Sequence, residues 1–181
     1  KQTEIGEIPA SWAVSRFGDF ATLQRGYDLP VHERHSGTIP VVGSNGIVGS
    51  HSTPAVKGPG VITGRSGTIG LSFFSEQDFW PLNTALFVSD FHGNVPLFAQ
   101  YLFENFDFRR YSAGVSVPTL NRNLVHQALL AVPPISEQAK IADILRRLDS
   151  TLDHATNRRD ALKNLFSSML HQLMTGRVRV T

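Results

Sequence analysis

The chain has 181 residues, of which 41% are hydrophobic and 18% charged, a composition that can build a globular core and that excludes a disordered tail. It contains no cysteine, which excludes disulfides, thiol catalysis and cysteine-ligated zinc. There is no apolar run of about 18 residues and no signal-peptide layout at the N-terminus, so we expect a soluble, cytoplasmic protein.

The formal net charge of +2 hides an uneven distribution. Residues 1–135 carry nine Lys/Arg against ten Asp/Glu, and residues 136–181 carry eight against five, so the two parts have net charges of −1 and +3. Because the first part is slightly acidic, a nucleic-acid surface on it would have to come from clustered basic side chains. Five basic and three acidic residues lie between Arg16 and Arg65, which suggests such a cluster.

The sequence pattern of the first 135 residues is typical of a loop-rich, mostly β domain. Nine of the fifteen glycines lie between Gly37 and Gly70 and separate short β-favouring runs. Strands are predicted over residues 38–42, 60–63, 68–74 and 84–89, and a strand-like LLAV run ends at Pro133. One amphipathic helix, over about residues 95–102, interrupts the strands. Together with the C-terminal helix described next, this pattern predicts an α+β fold.

The segment after Pro134 is predicted to be a single long helix. Ser136 can cap it, Glu137 suits a first turn, and no glycine or proline follows until Gly176. A helix of this length spans roughly 57 Å, whereas a domain of 135 residues has a radius of gyration of about 14 Å. We therefore place the boundary between a globular domain, residues 1–135, and a long helix with its tail, residues 136–181.

Apolar residues of this helix recur with alternating steps of four and three, which is the 3.5-residue repeat of a coiled coil. The pattern predicts pairing with another such helix, and so a homodimer, although a helix packed along its own domain is the simpler alternative. One position of the seam carries a charge. The predicted seam consists of Ile141, Leu145, Leu148, Leu152, Ala155, Arg159, Leu162, Phe166, Met169 and Leu173.

Several kinds of chemistry are disfavoured by spacing. The glycines at 58, 60 and 64 are one residue too widely spaced for a dinucleotide fingerprint, and residues 64–67 lack the Lys-Ser/Thr ending of a phosphate-binding loop. The seven histidines show no metalloprotease spacing. The Pro-Pro pair at 133–134 follows Val132, where an amino-methyltransferase motif has Asn or Asp. We expect no catalysis, no cofactor and no metal.

Eight short segments, singly weak, together resemble the type I restriction-modification specificity subunit, and they occur in that family's order along almost the whole chain. They are residues 4–12 (EIGEIPASW), 25–30 (RGYDLP), 43–49 (GSNGIVG), 61–70 (VITGRSGTIG), 79–84 (FWPLNT), 117–122 (VPTLNR), 132–141 (VPPISEQAKI) and 173–179 (LMTGRVR).

The resemblance implies a target recognition domain followed by a spacer helix. Such subunits carry two recognition domains held apart by two antiparallel helices, while separate methyltransferase and restriction subunits perform the chemistry. This chain has one domain and one helix, so it would be a half-length subunit that pairs with a copy of itself, or a fragment of a longer one. A two-fold pair would read an interrupted inverted repeat in double-stranded DNA.

DNA recognition requires side chains that reach base edges and others that hold phosphates. The candidates are Gln24, Arg25, Tyr27, Arg34, Ser44, Asn45, Lys57, Arg65, Ser66, Arg109, Arg110 and Arg122.

Some of these residues have structural alternatives. Arg65 could form a salt bridge under its loop, Ser44-Asn45 could be a β-turn, and Asn121 could cap a short helix beside Arg122. Tyr27 could stack on a base or simply pack. A different class of function also fits the pattern, namely a coiled-coil interaction module whose β domain binds protein or glycan, which would need no basic face.

Overall fold

The computed structural model describes residues 1–114 and 118–179, and the chain divides into two compact units. The first unit is Lys1–Ala142, and the second begins at Asp143. In the described residues the strands are β1 (Gln2–Thr3), β2 (Gly6–Glu7), β3 (Ala13–Arg16), β4 (Thr22–Arg25), β5 (Ile39–Gly43), β6 (Gly46–His51), β7 (Gly60–Gly64), β8 (Ser72–Ser75), β9 (Trp80–Pro81), β10 (Ala85–Asp90), β11 (Ser112–Ala113), β12 (Thr119–Leu120) and β13 (Leu129–Val132), and the helices are α1 (Phe17–Phe20), α2 (Pro96–Asn105), α3 (Arg122–Gln127) and α4 (Ile135–Met174).

An antiparallel sheet of four strands, in the order β4-β10-β7-β8, forms the centre of the first unit. Every residue of β7 is buried, as expected of an interior strand covered on both faces. A second sheet, in the order β6-β5-β9, pairs β5 with β6 antiparallel and with β9 in parallel. The predicted α+β class, with mostly strands and one long C-terminal helix, is confirmed.

The main core is built from phenylalanines that different elements contribute. Phe17 of α1 is fully buried, and its ring centroid lies 5.1 Å from that of Phe103 in α2 and 6.0 Å from that of Phe108. Each buried aromatic ring removes a large apolar area from water, and tilted ring pairs add to that gain. The helix predicted over residues 95–102 is the one that supplies Phe103, and it is observed as Pro96–Asn105.

The first two turns of α4 are anchored in the globular unit by a buried amide. The side chain of Gln138 is inaccessible to solvent, and its Nε2 donates to Asn94 Oδ1 at 2.7 Å and to the Pro133 carbonyl at 3.0 Å. Its Oε1 accepts the N–H of Val95 at 3.0 Å. A buried amide with all of these bonds formed fixes a position specifically, because leaving any partner unpaired is costly.

The ends of α4 refine the sequence prediction. The helix begins at Ile135, and the Pro134 carbonyl accepts the N–H of Gln138 at 2.9 Å, so Ser136 lies inside the first turn and does not cap it. The helix ends at Met174, two residues before Gly176, whose φ of 70° is left-handed as is common just past a helix end. In the described part of the chain, no helix combines the length and the apolar composition that crossing a bilayer requires.

One predicted strand is too long. Residues 68–71 are outside any strand, and β8 covers only Ser72–Ser75. The reason is backbone conformation, since Gly67 and Gly70 adopt φ values of 83° and 93°, which do not occur in extended strands. The segment before β8 is therefore a loop.

Candidate nucleic-acid interface

Three strand ends meet at one end of the four-stranded sheet. Arg25, the last residue of β4, is paired with Leu86 of β10, and Gly64, the last residue of β7, is paired with Ala85. Since β10 runs antiparallel to both neighbours, the loops that leave β4 and β7 lie beside the loop that enters β10. Residues distant in sequence are thereby gathered at this end.

Backbone hydrogen bonds hold these loops together. The N–H of Tyr27 donates to the Pro81 carbonyl at 2.8 Å, and the N–H of Arg65 donates to the Thr84 carbonyl at 2.9 Å. The N–H of Leu120 donates to the Arg65 carbonyl at 2.8 Å, which adds a fourth loop. Segments of four of the motifs quoted above therefore form one surface, although Val117, which begins one of those motifs, lies outside the described residues.

Two glycines make this close approach possible. A Cβ atom at Gly26 would overlap the carbonyl oxygen of Leu82, and one at Gly64 would overlap the carbonyl oxygen of Thr68. The same added Cβ at Gly64 would lie 3.1 Å from the carbonyl oxygen of Ser44. The glycines are therefore needed where backbone packs directly on backbone.

Arg25, Arg65 and Arg122, called the arginine cluster below, line a cleft of about 460 Å³ at this end of the sheet. Burial, together with the positive charges of Arg25 and Arg122, lowers the pKa of the Arg65 guanidinium. Because Arg25 and Arg122 both contribute to that shift, their positive charges lie close enough to Arg65 to repel it.

The arginine cluster is not neutralised by acidic side chains. Across residues 1–114 and 118–179, no carboxylate is within ion-pair distance of any of the three guanidiniums. Arg65 instead donates through Nη1 to the backbone carbonyl of Asn83 at 3.1 Å. Like charges held together without a counter-ion form a prepared anion site, because a bound anion relieves their repulsion.

The short helix α3 positions Arg122. Asn121 caps it, its side chain accepting the N–H of Asn123 at 3.1 Å, and this outcome confirms the capping alternative for Asn121. Further along, Nε2 of His126 accepts the N–H of Leu23 at 2.9 Å, which ties α3 to β4. Burial and the nearby Arg122 lower the pKa of His126, so the imidazole is neutral, as its acceptor role requires.

Several other candidates lie close to the arginine cluster. Ser44 and Asn45 form the turn between β5 and β6, so the β-turn alternative is confirmed while a base-reading role stays a prediction. Ser66 is bridged to Thr119 and half-buried. Arg109 is exposed and lines a neighbouring cavity with Gly67.

Gln24 and Tyr27 form a further pair on the same strand end. Gln24 Nε2 donates to Tyr27 Oη at 3.4 Å, and the Tyr27 side chain is held edge-on to Trp80 with ring centroids 6.3 Å apart. The residue remains 39% exposed. Tyr27 also contacts the ring of Phe87, with centroids 6.0 Å apart, so it packs against two aromatic rings while part of its surface stays exposed.

Three candidates are separate from this site or engaged elsewhere. The Arg34 guanidinium donates to the backbone carbonyls of Leu29 and Val48, so it holds the loop after β4 against β6. Lys57 precedes β7, at the strand end opposite Arg65. Arg110 forms an exposed ion pair with Asp107, with Nε 2.9 Å from Oδ2. The basic face therefore joins Arg25 to Arg65 and Arg122, and leaves out Arg34 and Lys57.

Sequence reasoning missed one pair of polar residues at the site. Asn83 Nδ2 donates to Asp28 Oδ1, which links the loop after β4 to the loop before β10. Both residues lie within motif segments quoted above, and that membership was the only available signal. Their contact could not be predicted, because it depends on how two loops meet across 55 residues of chain.

The second unit carries the other predicted surface. Along α4, Leu152 is 65% and Phe166 68% exposed, and Leu148, Leu162, Met169 and Leu173 are exposed as well. Ile141 differs from them, because it is half-buried and packs against the main core of the first unit. The charged seam residue Arg159 forms an ion pair with Asp160, with Nε 2.9 Å from Oδ1. Leu165 and Leu170 are also exposed and widen the stripe beyond the predicted seam.

Known proteins of type I restriction-modification systems are similar to this chain. A family model described as the type I restriction modification DNA specificity domain matches residues 9–164. A crystal structure of the type I restriction-modification S subunit from M. genitalium matches with a TM-score of 0.69 and 14% identity over 89% of this chain and 45% of that one. The HsdS subunit from Thermoanaerobacter tengcongensis matches with a TM-score of 0.67 and 12% identity over 94% and 46% of the two chains.

A third match has a TM-score of 0.70 and 14% identity over 93% of this chain and 47% of that one. It comes from work described as the structural basis of complex assembly and conformational transition of the type I R-M system. At these identities the structures establish a shared fold. The chain spans slightly less than half the length of each of them.

Proposed function

This chain belongs to the family of type I restriction-modification DNA specificity domains, and from that premise we propose that its globular unit recognises a DNA sequence. The observation that carries the proposal is the arginine cluster. Three guanidiniums that no carboxylate among the described residues pairs with, at the place where the motif loops converge, fit the phosphates of a DNA duplex. Around them lie Tyr27, Asn45 and Ser66, residue types that can contact sugars, phosphates or base edges.

We further propose that one chain reads one half of a bipartite target. The apolar stripe of α4, interrupted by the charged Arg159, stays exposed from Leu148 to Leu173, and its 3.5-residue repeat suits an antiparallel or parallel partner helix. The occupant that we propose is α4 of a second copy. Such a pair would hold two recognition units at a fixed separation on the duplex, which is how two-fold proteins read inverted repeats.

The chemistry would be performed by other chains. In this proposal the methyltransferase and restriction subunits dock on the specificity chain, which itself holds no catalytic role. Of the matched structures, one is a type I restriction-modification S subunit and another comes from work on complex assembly of the type I R-M system, which supports the choice of partners.

Two measurements on the full chain test these proposals. Fluorescence anisotropy of a labelled mixed-sequence duplex should show binding that weakens by about 0.9 log units per log unit of salt for each phosphate contacted. A flat salt dependence, or no binding, would contradict the DNA-recognition proposal.

Sedimentation velocity addresses the paired helices separately. Wild type and the control Asn164→Glu, which changes an exposed residue outside the seam, should sediment as dimers, whereas Phe166→Glu should be monomeric because it places a charge in the apolar seam. A monomeric wild type, or a Phe166→Glu dimer, would refute pairing through this seam.

A further inference from the structure

An exposed carboxylate lies at the edge of the proposed DNA-binding surface. Its negative charge would repel the phosphates of a DNA duplex. Asp28 is exposed and follows Arg25 by three residues. Its Oδ1 accepts a hydrogen bond from Asn83 Nδ2, and the backbone carbonyl of Asn83 accepts one from Arg65 Nη1. Asn83 thus bonds to both residues, its side-chain amide donating to Asp28 and its backbone carbonyl accepting from Arg65.

The second carboxylate oxygen is available for a ligand. Within the described ranges, Asp28 Oδ2 has neither a hydrogen-bond donor nor a basic side chain in contact. An acidic side chain that is not neutralised repels phosphates, so it opposes non-specific binding to the DNA backbone. Beside the arginine cluster, such a carboxylate would favour DNA binding where it meets hydrogen-bond donors of the DNA.

The donors that a duplex offers in its major groove are the exocyclic amino groups, N4 of cytosine and N6 of adenine. Guanine and thymine present acceptors at the corresponding places, O6 and N7 or O4, which a carboxylate would repel. Every base pair has one amino group in this groove, so a fixed carboxylate distinguishes which strand carries the amino base.

We infer that Asp28, fixed by Asn83, is a specificity-determining residue that accepts a hydrogen bond from an exocyclic amino group of the target DNA and so selects adenine or cytosine on one strand. This inference rests on the proposed function, since it presupposes that the arginine cluster binds the duplex. It assigns different tasks to neighbouring residues, with the arginines holding the backbone and Asp28 reading a base.

The test is selection of bound duplexes from a pool with a randomised central segment, followed by sequencing. The full chain is used as wild type, Asp28→Asn, Asp28→Ala and Asp19→Asn, the last being a matched control that removes an exposed carboxylate from α1. Each protein is also titrated against the unselected pool and against the duplex that the wild type enriches.

Wild type and Asp19→Asn should enrich the same sequence. Both Asp28 variants should lose the preference for adenine or cytosine at one position and bind the wild-type duplex roughly 5- to 150-fold more weakly. Their affinity for the unselected pool should be unchanged or higher, because a charge that repels phosphates has been removed. That opposite response distinguishes a base-reading acceptor from a residue that merely links two loops.

Two results would overturn the inference while sparing the proposed function. One is an identical enriched sequence for wild type and both Asp28 variants. The other is a parallel loss of affinity for both probes by Asp28→Asn, which keeps the size of the side chain and an acceptor for Asn83. If the wild type itself enriches no sequence, the proposed function fails, and the inference fails with it.

Discussion

Replacing Arg122 with glutamine removes one guanidinium of the arginine cluster and leaves the fold supported. Arg122 is exposed at the start of α3, whose capping bond is made by Asn121 and whose contact with β4 is made by His126. Arg122 also contributes to the repulsion that lowers the pKa of Arg65. We therefore expect Arg122→Gln to be at least as stable as wild type towards urea and to bind DNA more weakly.

The size of the effect follows from counterion release. Each phosphate contact contributes a slope of about 0.9 to the dependence of log affinity on log salt. If the contact contributes nothing at about 1 M salt, its loss weakens binding by about eightfold at about 0.1 M salt and by about threefold at about 0.3 M. If all three guanidiniums contact phosphates, replacing the whole arginine cluster should reduce the slope by about 2.7.

The assay is anisotropy of a mixed-sequence duplex, titrated at several salt concentrations with wild type, Arg122→Gln and Arg110→Gln. The control removes an exposed arginine that is already paired with Asp107, so its slope should change much less. Equal slopes for wild type and Arg122→Gln, or equal losses in the two variants, would show that the reasoning about the arginine cluster is wrong.

Three further outcomes are expected. Gly64→Ala should cost about 1–3 kcal/mol of unfolding free energy and weaken DNA binding, because its Cβ overlaps the Thr68 carbonyl and must displace the loop that carries Arg65. Gln138→Leu should cost about 3 kcal/mol in urea denaturation, since buried partners of the amide are left unpaired. Because the pKa of His126 is lowered, the native state takes up this proton at a lower pH than the unfolded state does. The free energy of unfolding that this group contributes is therefore complete above about pH 6.5 and is lost as the pH falls towards the folded pKa. His126→Gln should reduce this loss of stability at acidic pH.

Each of these predictions has its own comparison. Gly43→Ala introduces a Cβ that meets its neighbours at 3.5 Å or more, so it should be nearly neutral, and a cost equal to that of Gly64→Ala would argue against the overlap. Gln127→Leu changes an exposed amide and should leave stability almost unchanged. For His126, the difference between wild-type and variant stability should vary with pH, and a constant difference would contradict the proton linkage.

The parts of the fold that sequence could predict are those with local causes. The length of α4 follows from a stretch that contains no glycine or proline before Gly176, and the start of α3 follows from the cap at Asn121, so both were visible in the local sequence. The strand predicted over residues 68–74 failed because the apolar run gave no sign that Gly70 would adopt a left-handed conformation. Backbone conformation at a glycine depends on what packs around it.

The candidate site was harder to predict from the sequence, because it is assembled from segments that are distant in the chain. Its chemistry could be guessed from residue types in the motifs, but the choice among arginines depends on contacts made across the sheet. Arg34 and Arg65 look equivalent in sequence, yet one donates to the carbonyls of Leu29 and Val48 and the other lies in the arginine cluster. The bond between Asp28 and Asn83 likewise requires the tertiary structure.

The central claim, that this chain recognises a DNA sequence, is tested most directly by a ratio of two dissociation constants. The full chain is titrated against the duplex it selects from a randomised pool and against a duplex of the same composition with the bases permuted, both at about 0.15 M salt. Specific recognition predicts binding at least about a thousandfold tighter to the selected duplex. A ratio close to one would mean that the arginine cluster holds any duplex, and that the chain does not read sequence.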